Sequence, residues 1–314
     1  MTTSEADVAV HNEGYPPPIP ATTRNAGCEW FNQGVARTAC AEWMVAAKAL
    51  ALEQVKLDLV YVDPPFNTGA TQVDRAGSYA DRFGTTQDYI QWLRDRLAVT
   101  IGLMRASGSI LVHVDWRTSH RVRVLLDELL GEDRFVNHLI WSYGLGGSSP
   151  RRFARKHDDI LFYCIEPEAY YFDPPMVPAT SNRMAGKLKK STDVLEFPDV
   201  LNIPSINNQA HERTGYPTQK PLALVAMLVQ ACSPRGGNVW DPCCGSGTTV
   251  VAASRLGRKA FGSDVNPGAI AIARSRLAEI DQLPDGKFSR SAVDDRRPNE
   301  TNDLDRPRPI ENSH

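Results

Sequence analysis

Several common features are missing from this 314-residue chain. No stretch approaches the ~18–20 uninterrupted apolar residues of a membrane-spanning helix, so no transmembrane segment is expected. Met1 to Asn25 carries Glu5, Asp7 and Glu13, then Pro16, Pro17, Pro18 and Pro20, without the basic start and apolar run of a secretory signal. A cytoplasmic location is therefore expected. The cysteines, at 28, 40, 164, 232, 243 and 244, form no CxxC pair and no zinc-ligand spacing. Reduced thiols and no metal site are the simplest reading. Neither GxxxxGK[ST] nor GxGxxG occurs, which argues against a bound polyphosphate or dinucleotide. There is no internal repeat. An excess of positive charge is also missing: 35 Lys plus Arg against 37 Asp plus Glu give a net charge of −2 and exclude a uniformly basic surface.

What is present is enough to build a core. Hydrophobic residues make up 42% of the chain, and a length of ~150 residues per domain allows one or two domains. Residues 1–26 are Pro-rich and residues 285–314 polar and charged, and both are expected to be disordered tails. Residues 27–284 form the expected single domain. There, short apolar runs alternate with helical patterns, the signature of an α/β fold with a mostly parallel sheet and helices on both faces. Strands are expected at Leu57–Val62, Ser109–Val114, Ile160–Tyr163, Asn238–Trp240 and Ala260–Ser263. Helices are expected at Asp88–Met104, His120–Leu130, Pro221–Cys232, Thr248–Leu256 and Pro267–Ile280, with Pro221 and Pro267 in first turns. Residues 143–215, rich in Gly and Pro, break the rhythm and read as an insertion on the sheet's edge.

Three motifs carry chemistry. Asp63-Pro64-Pro65-Phe66 follows the first expected strand, and ligands of open α/β sheets sit at the carboxyl ends of strands. The prolines fix the backbone, leaving the Asp63 carboxylate and nearby carbonyls as acceptors, and Phe66 offers a flat face. That suits a planar base bearing an amino group. By itself the tetrapeptide also reads as a tight turn with a capping Asp. Next, Asp241-Pro242-Cys243-Cys244-Gly245-Ser246-Gly247-Thr248 joins a strand to a helix through small residues that let a cofactor approach backbone. Asp264 closes the following strand 17 residues beyond Gly247, near the ~20-residue spacing of a ribose-binding acid. A plain glycine turn is the bland alternative. In Thr218-Gln219-Lys220-Pro221, Thr218 or Gln219 can cap the next helix. Lys220 stands where a cofactor carboxylate could be paired. A capped helix with a solvated lysine is the other reading. A second DPP, Asp173-Pro174-Pro175-Met176, lacks the aromatic plate and reads as a loop. His113 and His120 read as structural. Asp115 has no assigned role.

Taken together, DPPFNTG, DPCCGSGTT and YPTQKP in that order resemble the β-class amino methyltransferases of DNA, over roughly Gly27 to Ile280. The resemblance implies a Rossmann-like, S-adenosylmethionine-dependent methyltransferase fold in permuted motif order, with target recognition in about 143–215. It assigns catalysis to Asp63, Pro64, Pro65 and Phe66. Cofactor binding falls to Asp241, Cys243, Gly245, Ser246, Gly247, Thr248 and Asp264, with Thr218 and Lys220 completing the pocket. The reaction implied is methylation of the exocyclic N6 amine of a flipped-out adenine in double-stranded DNA. Cytosine N4 is the alternative; adenine is favoured because cytosine enzymes of this class usually begin the motif with Ser where this chain has Asp63. An inactive DNA-binding relative is a further alternative. Phe66 stands where Tyr is most frequent, Cys243 where Phe is usual and Tyr216 where His is frequent. A homodimer is implied, and both a solitary role and pairing with a cognate restriction endonuclease stay open.

The charge count also sharpens when divided. The two tails carry −2 and −1, leaving the region between them at +1. Within 143–215, Arg151, Arg152, Arg155 and Lys156 form one acid-free island, and Arg183, Lys187, Lys189 and Lys190 another. These are the expected DNA phosphate contacts, with a solvated charged face as the alternative.

Overall fold

A computed structural model describes residues 27–74, 77–143, 149–178, 187–195, 214 and 219–281. Both expected tails, 1–26 and 285–314, lie outside these residues. The chain opens with β1 (Phe31–Gln33), β2 (Ala36–Cys40), α1 (Trp43–Leu52) and β3 (Leu57–Val62). A small hairpin, β4 (Ala70–Asp74) and β5 (Gly77–Asp81), precedes α2 (Thr86–Ile101), β6 (Met104–Val114) and α3 (Ser119–Leu130). Then come β7 (Phe135–Ser142), β8 (His157–Cys164), a second hairpin of β9 (Met176–Pro178) and β10 (Leu188–Lys190), and the short β11 (Val194–Leu195). The chain closes with α4 (Leu222–Cys232), β12 (Asn238–Asp241), α5 (Thr248–Arg255), β13 (Lys259–Asp264) and α6 (Pro267–Asp281).

Nine strands form one sheet in the order β1-β2-β13-β12-β3-β6-β8-β7-β11. The run from β2 to β6 is parallel, while β1 and β8 run antiparallel to their neighbours. Every residue of β3 is buried, as a strand covered on both faces must be. Its side chains alternate between two cores. Leu59 and Tyr61 pack with Leu224, Val225 and Val250 from α4 and α5. Val60 and Val62 pack with Trp43, Leu93 and Leu125 from α1, α2 and α3. The sheet is thus mostly parallel with helices on both sides, as expected.

Differences from the sequence reading are informative. Residues 143–215 are not one excursion from the sheet's edge, because β8 lies inside that stretch and sits between β6 and β7 in the sheet. Its buried run Asp158–Cys164 is part of the core. The helix expected from Asp88 to Met104 begins earlier, where Thr85 and Asp88 form a reciprocal capping box. It also ends earlier, because Met104 already belongs to β6. Pro221 is the N-cap of α4 and no side chain caps that helix. Gln219 instead accepts from the backbone N–H and hydroxyl of Thr214, at 2.9 and 2.7 Å. Pro267 does open α6, capped by Asn266, whose Oδ1 accepts from Gly268 N at 2.9 Å. Asp173-Pro174-Pro175 is loop leading into β9. No helix among the described residues is long and apolar enough to cross a membrane.

Candidate active site

β3, β12 and β13 are adjacent and parallel, so their carboxyl ends lie side by side. Asp63 follows β3, Asp241 ends β12 and Asp264 ends β13. All three carboxylates line one cavity of about 420 Å³, within the ~300–1,000 Å³ usual for small-molecule sites.

Each motif is held in place locally. After Phe66 the chain turns at Asn67, whose φ of 55° is left-handed, a conformation Asn tolerates better than most residues. Asp81, at the end of β5 and 2% exposed, clamps that turn. It accepts from Asn67 N at 2.7 Å and from the Thr68 hydroxyl at 2.6 Å. Asp241 accepts from Cys243 N at 3.0 Å, and Asp264 accepts from Gly245 N at 2.9 Å. The cofactor-motif loop is thereby tied to both strand ends. Gly247 does not line the cavity. It has φ +80°, and a Cβ there would lie 2.6 Å from the Ala273 Cβ, so this glycine serves the approach of α6. Ser246 and Thr248 line the cavity and are bonded by Arg276, which donates to the Ser246 carbonyl at 2.8 Å and the Thr248 hydroxyl at 3.1 Å.

The electrostatics follow from crowding carboxylates in a dry site. Burial pushes the Asp241 carboxyl up to about 7, helped by the charges of Asp63 and Asp264 and opposed by hydrogen bonds from Thr249 and Cys243 N. Burial also raises Asp264, against backbone hydrogen bonds from Asn266, Gly245 and Val265. The thiols of Cys243 and Cys244 are pushed well above the usual range, mainly by burial and then by the same carboxylates. They are neutral at pH 7 and poor nucleophiles.

Lys220 reaches the Asp63 carboxylate. Its Nζ donates to both Asp63 oxygens, at 2.8 and 2.6 Å, and lies 5.0 Å from the Phe66 ring centroid. It holds the Asp63 carboxylate, while still lining the cavity. Pro64, Pro65, Cys243 and Gly245 line it too. Thr218 and Tyr216 lie outside the described residues.

Several site residues escaped the sequence reading. His113, wholly buried, lies with its ring 5.9 Å from that of Phe66. It joins the Tyr61 hydroxyl at 2.7 Å to the Asp158 carboxylate at 3.2 Å. Asp158 also accepts from the Tyr143 hydroxyl at 3.1 Å. Burial raises the Asp158 carboxyl, but the His113 hydrogen bond, the charges of His113 and Lys220 and the Tyr143 hydroxyl outweigh it and leave it below the ordinary value. An apolar wall of Trp43, Phe83 and Trp92 closes the cavity, where Arg96 lies 4.2 Å from the Trp92 centroid and pairs with Glu42 at 2.7 Å.

The two basic islands separate. Arg151, Arg152 and Lys156 are exposed and Arg155 half-buried, all between β7 and β8. Arg152 and Arg155 line a second cavity of about 260 Å³. Lys189 and Lys190 stand on β10, and Lys187 is exposed just before it. Arg183 lies outside the described residues.

A mostly parallel sheet in which the ends of β12 and β13 meet a DPPF turn at one shared cavity is the arrangement of an S-adenosylmethionine-dependent methyltransferase. Residues 57–275 match the family model of the N6/N4 methyltransferases, described as DNA methylase, and the chain belongs to that family. It is 29% identical over 273 residues to the type II methyltransferase M.HpaI of Haemophilus parainfluenzae, covering 83% of this chain and 79% of that one. It is 28% identical over 250 residues to M.ScaI of Streptomyces caespitosus, covering 74% and 79%. Among solved structures, the PvuII DNA methyltransferase, described as cytosine-N4-specific, superposes with a TM-score of 0.58 at 14% identity, over 82% of this chain and 92% of that one. The M1.HpyAVI complex with S-adenosylmethionine gives 0.55 at 19% identity, over 77% and 98%. These last two speak to fold alone.

The protein is thus a DNA methyltransferase with S-adenosylmethionine as its methyl donor, and the cavity's chemistry fits that donor. Its ionisable lining is acidic, with Glu42, Asp63, Asp81, Asp241 and Asp264 against Arg96 and Lys220. That balance suits a ligand bearing a sulfonium and an ammonium. The aromatic wall suits its purine.

Proposed function

We propose that this enzyme methylates the exocyclic N6 amine of adenine, extruded from double-stranded DNA. The observation that carries the reading is Asp63: a carboxylate held at the cavity beside the Phe66 ring by two hydrogen bonds from Lys220. An exocyclic amine is a weak nucleophile because its lone pair is delocalised into the ring. Acceptors for its N–H groups return that pair toward nitrogen as the new N–C bond forms. The Asp63 carboxylate and the Pro64 carbonyl are those acceptors, and Phe66 stacks on the flipped base. The donor, when bound by Asp241, Gly245, Ser246, Thr248 and Asp264, supplies an activated methyl on sulfur. Lys220 orients the catalytic carboxylate from the cofactor side.

Adenine is favoured over cytosine N4 because cytosine enzymes of the family usually carry Ser where Asp63 stands. The basic islands at Arg151, Arg152, Arg155 and Lys156 and at Arg183, Lys187, Lys189 and Lys190 contact backbone phosphates in this reading. A homodimer and pairing with a restriction endonuclease accompany it as family expectations. The deciding experiment expresses the gene in a host without DNA methylation and maps modified bases by single-molecule sequencing. N6-methyladenine at one recurring sequence is expected. N4-methylcytosine would overturn the base assignment, and an unmodified genome the activity.

A further inference from the structure

The second cavity lies on the same sheet edge as the first, next to it. Asp115, Trp116 and Arg117 follow β6, Tyr143 follows β7, and Asp158 is the second residue of β8. β6 is the direct neighbour of β3, whose end carries Asp63. The partition between the cavities is thin. From Phe66 in the first, the path crosses the His113 ring at 5.9 Å and reaches Asp158 in the lining of the second through a 3.2 Å hydrogen bond.

The lining has a definite chemistry. Arg117 is paired with Asp115, and Asp158 is occupied by His113 and Tyr143. Arg152 and Arg155 enter from the loop before β8 as further positive charge. The Arg155 guanidinium carbon lies 3.3 Å from the Trp116 ring centroid. A guanidinium over an indole is held by the ring's π-face, while its N–H donors lie in its own plane, away from that face. Trp116 is therefore not offered to a base on the side that Arg155 covers. With about 260 Å³, below the ~300 Å³ at which small-molecule pockets usually begin, the cavity suits a compact oxyanion better than a heterocycle.

The geometry points to this cavity as the seat of the phosphodiester that flanks the flipped nucleotide, gripped by Arg152 and Arg155. The inference rests on the reading that the chain extrudes a base from DNA onto Phe66. A nucleotide seated there whose backbone runs from β3 toward β6 and β8 would bring its flanking phosphate to the second cavity, beside the two arginines. Trp116 acts as a positioning residue that fixes Arg155. The contact would hold the extruded nucleotide against restacking, in addition to the contacts made to its base.

The test uses the full chain with S-adenosylhomocysteine and a duplex of about 20 base pairs whose central 2-aminopurine is mispaired, so that extrusion does not depend on the recognition sequence. The linkage on each side of that base is either a phosphodiester or an uncharged methylphosphonate. In wild type, one of the two methylphosphonates should weaken binding about tenfold. In the Arg152→Gln, Arg155→Gln double variant, affinity should fall similarly, the same methylphosphonate should have no further effect, and the salt slope should drop by about one, for the single phosphate released. Each single variant serves if the double variant loses its affinity for S-adenosylhomocysteine. Equal methylphosphonate penalties in wild type and variant, or none in either, overturn the assignment. So does dependence on the flanking base without dependence on the linkage charge. Failure of wild type to bind the duplex or to raise 2-aminopurine fluorescence would instead overturn the extrusion reading itself.

Discussion

Lys220 Nζ donates to both carboxylate oxygens of Asp63, across 157 residues of sequence, at 2.8 and 2.6 Å. With side chains 10% and 18% exposed, the pair is sheltered enough that screening by salt is weak. A carboxylate has about four lone-pair sites, so Lys220 leaves acceptor capacity for an amine while fixing the plane in which it points.

This arrangement separates two roles for the lysine. If it orients Asp63, Lys220→Met should lower kcat by about 10–100-fold and change the dissociation constant of S-adenosylmethionine by less than about threefold. Steady-state kinetics and calorimetry read the two quantities independently. A large loss of cofactor affinity at unchanged kcat would assign Lys220 to the cofactor carboxylate instead. Asp63→Ala should remove methylation by a factor on the order of 10² to 10³ or more and leave cofactor binding measurable.

His113 is buried with a partner on each ring nitrogen, the Tyr61 hydroxyl and Asp158. His113→Leu keeps the volume roughly and deprives both partners of a hydrogen bond. The cost expected is about 2 kcal/mol, shared between the wholly buried Tyr61 hydroxyl and the Asp158 carboxylate, which keeps its bond from Tyr143. Urea unfolding of the two proteins checks it. A difference below about 1 kcal/mol would mean that water or another donor replaces the ring.

Gly247 combines a left-handed φ of +80° with a close approach to Ala273. Gly247→Ala meets both a backbone penalty and a Cβ overlap, and about 2–3 kcal/mol of destabilisation is expected. For a domain of this size that corresponds to a melting temperature lower by roughly 5–10 °C. The Gly247→Ala, Ala273→Gly double variant should relieve the Cβ overlap, keep the backbone share and add the ~1 kcal/mol cost of a glycine inside α6.

The parts of this molecule that sequence revealed are those written locally. Asp63, Asp241 and Asp264 each end a short apolar strand beside prolines or small residues, so their convergence on one sheet edge follows once the strands are parallel. α1 was not among the expected helices: its buried Trp43, Ala46, Ala47 and Leu50 fall at helical spacing, but alanines make a faint stripe. Pairings between distant segments were not readable. Nothing near Lys220 marks Asp63 as its partner, and nothing near His113 marks Asp158. β8 was visible as an apolar run inside a Gly- and Pro-rich stretch. Its antiparallel place within the sheet depends on the loops around it, which carry no periodicity.

Asp241 gives a prediction about pH with a definite sign. Its folded-state carboxyl is raised to about 7 from an ordinary 3.8, chiefly by burial. The native state therefore holds a proton that the unfolded state gives up at lower pH, and stability falls as pH rises from about 4 through 7. Asp241→Asn keeps an acceptor for Cys243 N and removes the buried charge, so its stability relative to wild type should rise across that window and level off above it. Binding a cationic cofactor stabilises the ionised form. At pH 7 wild type should accordingly release up to about half a proton on binding S-adenosylmethionine, read by calorimetry in buffers of different ionisation enthalpy. The release should vanish near pH 9 and in Asp241→Asn. Proton uptake instead of release would show that Asp241 is not the group facing the cofactor's charge.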